Sequence, residues 1–138
     1  MDQPAFSNKH KHLEFVQAAV NRMASNLFLL KGWSVTLIAA LFALAAKDAN
    51  QTYVLIAYFP LLIFWCLDAY FLSQERRFRA LYDQVRQVNE ADIDFSMNTK
   101  PFRGDIRNTW ASAFFSPTLF FYYGGLGSLM LALMHFIR

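Results

Sequence analysis

The sequence predicts an all-α membrane protein with three transmembrane helices, the first two forming a long antiparallel hairpin that extends into the cytoplasm as a two-helix stalk. Three observations carry this reading. Two apolar runs of equal length, Leu27 to Ala46 and Tyr53 to Leu72, flank the short polar link Lys47-Asp48-Ala49-Asn50-Gln51-Thr52. A third run, Pro117 to Ile137, holds no Asp, Glu, Lys or Arg and is long enough to cross roughly 30 Å of hydrocarbon as a helix. At 138 residues, with 56% hydrophobic and 17% aromatic side chains, the chain is too apolar for one small soluble domain to bury. The whole of 1–138 is expected to form a single membrane domain.

The first helix is expected over 7–46, with its transmembrane part at 27–46. Ser7 and Asn8 are both competent N-caps, and Leu13, Val16, Val20, Met23, Leu27 and Leu30 recur at spacings of three and four. Leu37, Leu41 and Leu44 continue the same heptad seam into the membrane. About 26 mostly polar residues precede the first span, so the N-terminus does not read as a cleavable signal peptide and is expected to be retained.

The second helix is expected over 53–88, with its transmembrane part at 53–72 and a mirrored seam of Phe64, Leu67, Phe71, Phe78, Leu81, Val85 and Val88. Gln74 and Pro60 interrupt that seam, and the proline removes a backbone donor inside the bilayer. Each hairpin span carries one charge, Lys31 and Asp68, equidistant from the middle of the link. The antiparallel pairing therefore brings both to one depth, and the heptad assignment puts both at e positions flanking the seam. A salt bridge between them is the simpler expectation, because an unpaired charge at that depth costs on the order of a few kcal/mol. The alternative is that each side chain snorkels separately to the nearby interface. Cys66, the lone cysteine, reads as a small residue buried at a helix contact.

From 89 to 108 the periodicity fails among Asn98, Pro101 and Gly104, which marks a cytoplasmic loop. Its apolar residues Ile93, Phe95, Met97, Phe102 and Ile106 are suited to docking on the stalk. Residues 109–137 should form an interfacial turn anchored by Trp110 and then the third span, opened by the N-cap and first-turn pair Ser116-Pro117. Gly124, Ser128 and Ala132 repeat every four residues, a small-residue face for helix packing either within the chain or between subunits.

Lys and Arg are distributed unevenly: three precede the first span, seven lie between the second and third, and Lys47 alone sits in the hairpin link. The positive-inside rule then places the N-terminus and the central segment in the cytoplasm, and the C-terminus outside, periplasmic or extracellular. Arg76, Arg77 and Arg79, just beyond the second span, are placed to meet lipid headgroups. Together with Arg86, Lys100, Arg103 and Arg107 they alternatively compose an anion site for a nucleotide signal, since guanidinium forks suit phosphate. Six acidic residues in the same segment point instead to internal salt bridges, and nucleic acid finds no support in a net charge of +3.

No catalytic set emerges. His10 and His12 point to different helix faces and read as solvated side chains, and His135 as an interfacial one. No glycine-rich phosphate loop, His-Glu-x-x-His or nucleophile beside a base occurs, which argues against an enzyme and calls for no metal or cofactor. The spans offer few polar residues, so any pore would be a hydrophobic constriction gated by dewetting.

The stretch from Leu13 to Arg86, with its Arg22-Met23-Ala24-x-Asn26 and Leu30-Lys31-Gly32-Trp33 patches and its Arg76-Arg77-Phe78-Arg79 exit, resembles the small multi-span membrane effectors of bacterial anti-phage systems, of the SLATT type. That resemblance implies a non-enzymatic homo-oligomer in the bacterial inner membrane that permeabilises or depolarises it when a separate cytoplasmic sensor protein or nucleotide signal reports infection. A structural or regulatory anchor that recruits a cytoplasmic partner through the stalk is the competing expectation. A transporter fits less well, since three spans lack an inverted repeat.

Overall fold

The computed structural model describes residues 7–48 and 50–136, so Ala49 of the link and Ile137, at the expected end of the third span, lie outside it. The described residues contain four α-helices and no strand: α1 (Asn8–Asp48), α2 (Gln51–Gln87), α3 (Trp110–Phe114) and α4 (Pro117–Phe136). Short 3-10 turns at Glu90–Asp92, Lys100–Gly104 and Ile106–Asn108 punctuate the segment between α2 and α3.

Side-chain caps set the helix starts. Ser7 Oγ accepts the His10 N–H at 3.2 Å, and Asn50 Oδ1 accepts the Thr52 N–H at 2.9 Å. Ser116 caps α4, its carbonyl accepting Phe120 N–H at 2.9 Å and its hydroxyl oxygen Leu119 N–H at 3.4 Å. Pro117 follows at the first helical position, where a missing N–H costs nothing. α2 continues through Pro60.

α1 and α2 form the antiparallel hairpin, and α4 runs alongside α2 in the opposite direction, with Tyr123 beside Asp68 and Gly127 beside Tyr58. α1, α2 and α4 are each long and apolar enough to cross a membrane. Their outward faces fit lipid, with Phe28 79%, Phe59 71% and Phe121 76% exposed on the isolated chain.

The hydrophobic interior is divided in two. The membrane-level core joins Ile38 and Ala45 of α1, Val54, Ala57, Leu61 and Ala69 of α2, Ala113 of α3, and Leu119, Tyr123 and Met130 of α4. A smaller stalk core joins Val16 to Leu81 and Val85, with Ile93 and Phe102 of the loop packed against it. Phe95 lies against His12 and Phe15 of α1 while keeping part of its surface exposed, whereas Met97 and Ile106, also expected to dock, remain exposed.

The heptad seam needs one correction. It runs as expected through Val16 and Val20, but inside the membrane the buried line of α1 is Ser34, Ile38 and Ala45, while Leu37 and Leu44 are 41% and 45% exposed. On α2, Asp68 is buried and Leu67 exposed. A straight α-helix has 3.6 residues per turn and drifts about 20° per heptad from a 3.5 repeat, so over several heptads the contact line moves on by one residue. That slip carries Lys31 and Asp68 from the flank of the interface into it.

Candidate functional site

Polar atoms inside a membrane-spanning bundle are costly and are therefore the first place to look for function. Three helices contribute to one such cluster. Lys31 Nζ of α1 lies 2.7 Å from Asp68 Oδ2 of α2. Tyr123 of α4 donates its hydroxyl to the same oxygen at 2.8 Å. Asp68 has no exposed side-chain surface and the Lys31 side chain is 26% exposed. The adjacent Tyr122 donates to the Lys31 carbonyl at 3.0 Å and sets its ring 5.6 Å from the Lys31 ammonium, within cation–π range. Ser34, fully buried one turn on, donates to the same carbonyl at 2.8 Å.

An ionised carboxylate offers roughly four lone-pair sites and no donor. Here Oδ2 takes both donors, and Oδ1 has no hydrogen-bond partner among the described residues. The cluster thus holds a buried ion pair whose carboxylate is hydrogen-bonded on one oxygen only. What the cluster can do is tie three helices together at one depth for as long as the ion pair lasts.

Sequence reasoning reached Lys31 and Asp68 and missed Ser34, Tyr122 and Tyr123. The available signal was two adjacent tyrosines in the first third of the third span, whose hydroxyls need partners when buried. The same layer is bordered by aromatic stacking: Trp65 lies parallel to Phe114 at 4.4 Å and near-parallel to Tyr123 at 5.8 Å, and donates to the Phe114 carbonyl at 3.0 Å. Trp110 donates to the Cys66 carbonyl at 3.0 Å, which ties α3 to α2 near this level. Cys66 itself is exposed rather than buried at a contact, because the same register slip turns it outward.

The small-residue face is not the one that packs within the chain. Ser128 and Ala132 are exposed, Gly124 is half-buried, and no atom lies within 4 Å of a Cβ built on Gly124. α4 instead meets α2 through Gly127, whose carbonyl accepts the Tyr58 hydroxyl at 3.0 Å and whose Cβ position lies 3.5 Å from Leu61. The buried residues Leu119, Tyr123 and Met130 fix that face, offset from the expected stripe by one residue, about 100° of azimuth.

The basic residues divide by role. Arg76 donates to the Arg107 carbonyl at 2.8 Å and to Ser112 Oγ at 3.3 Å, and Arg77 donates to the Asn108 carbonyl at 3.2 Å, so both clamp the loop to α2. Arg79 pairs with Glu75 at 2.6 Å, and Arg86 lies 3.9 Å from Asp83. Lys100, Arg103 and Arg107 are exposed. The seven cations therefore do not converge on one point; Arg76, Arg79 and Arg107 alone share a groove.

His12 is the second correction. It is 2% exposed, not solvated: Nε2 lies 2.9 Å from the Ser96 carbonyl, and its ring sits 5.6 Å from that of Phe95. Phe95 adopts φ 55°, a strained conformation for a bulky residue, held between His12 and Phe15. His10 stays exposed beside Glu14 at 3.2 Å. Among the described residues no three His, Cys, Asp or Glu side chains gather where a metal ion could sit.

No protein-family model matches this chain, and no curated protein or solved structure matches it either.

Proposed function

We propose that the protein is a non-enzymatic effector of the bacterial inner membrane that assembles as a homo-oligomer and depolarises the cell when its cytoplasmic stalk receives a signal. The observation that carries this reading is the continuity of α1 and α2, each a single helix from stalk to membrane, with the Lys31–Asp68–Tyr123 cluster at their junction. A displacement of the stalk reaches that cluster directly through two rigid rods, and parting Lys31 from Asp68 leaves two charges inside the bilayer that draw in water. The outward Gly124, Ser128 and Ala132 stripe supports assembly between copies, because small residues let backbones approach closely in lipid. The excess of Lys and Arg on the stalk side supports a cytoplasmic N-terminus.

Membrane potential, followed with a voltage-sensitive dye during induced expression, tests the proposal. Depolarisation that Lys31→Ala or Asp68→Ala changes in extent or onset is the expected result. Full retention of potential in cells also exposed to phage overturns it.

One observation favours a second reading, an anchor for a cytoplasmic partner. Phe15 is 55% exposed, and Phe95 and Met97 are each 39% exposed, on the part of the molecule farthest from the membrane core. Recovery of a stoichiometric partner on the stalk, lost in Phe15→Ser, together with unchanged membrane potential, is the outcome that reading requires.

A further inference from the structure

We infer that the groove between α2 and the turn before α3 binds the phosphate of an anionic phospholipid from the leaflet on the stalk side. The groove has a volume of about 480 Å³, and its lining includes Arg76, Arg79, Arg107 and Ser112 together with the acids Asp83 and Asp105. Its guanidinium groups are held in place yet not used up. Arg76 spends Nη1 on the Arg107 carbonyl and Ser112 Oγ, and its Nε and Nη2 have no bond among the described residues. Arg79 gives Nε and Nη2 to Glu75 Oε1 and keeps Nη1. The Arg107 guanidinium makes no hydrogen bond among the described residues.

Two acids share the groove, Asp105, whose Oδ1 caps the Arg107 N–H at 3.0 Å, and Asp83, 3.9 Å from Arg86, and the three arginines outnumber them. What remains is a cleft with an excess of fork-shaped donors, the geometry that suits a phosphate.

Position selects the source. Arg76 lies eight residues beyond Asp68, about 12 Å along α2 at 1.5 Å per residue, which is headgroup depth for a span ending near Leu72. Ile106, next to Arg107, is 79% exposed, and Trp110, 43% exposed, reaches up to the Cys66 carbonyl. An exposed aliphatic residue beside the lining Arg107 and an exposed tryptophan two residues from the lining Asn108 and Ser112 give a lipid's acyl chains an apolar surface while its phosphate enters the groove. A free phosphate compound needs only the arginines. The inference stands apart from the proposed effector role: a lipid site is compatible with either reading, and its failure leaves both intact.

The test is lipid retention by the full-length protein purified in detergent and measured by native mass spectrometry after equal exposure to phosphatidylglycerol and phosphatidylcholine. Retention of phosphatidylglycerol over phosphatidylcholine is expected. Arg107→Gln, which removes no bond seen in the fold, should lower phosphatidylglycerol retention roughly tenfold, the loss of one charge-assisted bond. Lys100→Gln and Arg103→Gln, outside the groove and clear of its acids, should leave it unchanged. Ile106→Ser should weaken lipid retention while sparing any binding of glycerol 3-phosphate. Equal losses in Arg107→Gln, Lys100→Gln and Arg103→Gln mean a diffuse field and overturn the site; equal retention of the two lipids does the same. Glycerol 3-phosphate bound as tightly as phosphatidylglycerol, with no effect of Ile106→Ser, overturns the lipid as occupant. Because Arg76 also clamps the loop, Arg107→Gln carries the test, with an unchanged melting temperature as its folding control.

Discussion

Asp68 concentrates the physical tension in the molecule. Its carboxylate is cut off from any solvent, accepts from Lys31 and Tyr123 on Oδ2, and leaves Oδ1 without a partner among the described residues. Removing one member of a buried ion pair costs more than the pair itself contributes, because the other charge is left stranded. Lys31→Ala and Asp68→Ala should therefore each destabilise the protein by about 3 to 5 kcal/mol. The double variant should lose less than the sum, with a coupling of at least about 1 kcal/mol in thermal unfolding in detergent; strictly additive losses would show that the two side chains do not act together. Tyr123→Phe deletes only the hydroxyl that donates to the carboxylate and should cost about 1.5 to 3 kcal/mol by the same measurement. An unchanged melting temperature would mean that this bond contributes nothing net. The salt bridge was legible from sequence because two lone charges sat at equal distances from a turn. Tyr123 was not, since the azimuth of α4 follows from packing rather than from its own nearly uniform composition.

At the scale of the element, α4 carries two candidate packing faces that its sequence does not rank. Its sequence is apolar nearly all round, so no hydrophobic stripe tells which side meets the hairpin, and the regular Gly124, Ser128 and Ala132 repeat stands out instead. The face that packs is the one carrying Leu119, Tyr123, Gly127 and Met130, because it alone can satisfy Asp68 and the Tyr58 hydroxyl at once. Gly127→Leu should push against Leu61 and Tyr58 and separate α4 from α2, lowering the melting temperature of the detergent-solubilised protein by several degrees. Ser128→Leu, on the outward face, should leave that temperature within a degree or so while reducing any association between copies seen by cross-linking. Equal effects of the two would show that α4 has no preferred face. The starts of α1 and α4 were more accessible, because Ser7 and Ser116 announce N-termini through local hydrogen bonds that depend on neighbouring residues alone.

The whole molecule is two cores on one pair of rods. The membrane-level core draws on four helices and is sealed by aromatic stacking around Trp65, whereas the stalk core rests on Val16, Leu81 and Val85, with only Ile93 and Phe102 added from the loop. A core with few buried apolar residues opens at lower free energy than one that is fully enclosed. Hydrogen exchange in nanodiscs should therefore show 8–26 and 75–88 exchanging faster than 31–45 and 54–69, with the step near Lys31 and Asp68. Uniform protection along α1 and α2 would mean that the polar layer does not separate two cooperative units. A stalk of low local stability joined rigidly to a charged layer is the arrangement an incoming signal can exploit, and the strained Phe95 beside buried His12 lies at its far end.

Composition, run length and the link between the first two runs were enough by themselves to determine a three-span helical membrane protein with a hairpin and an outlying stalk, because burial of apolar length and local capping are properties of short stretches of chain. The symmetric placement of Lys31 and Asp68 also pointed to a shared depth. Only the tertiary structure decided that both side chains lie in the interface rather than beside it, that Tyr122, Tyr123 and Ser34 complete their cluster, that Gly127 and not Gly124 meets α2, and that His12 is buried under the loop. Each of those depends on azimuth, and azimuth is set by the accumulated drift of straight helices and by where a third helix can satisfy buried polar atoms, neither of which is written in any one segment.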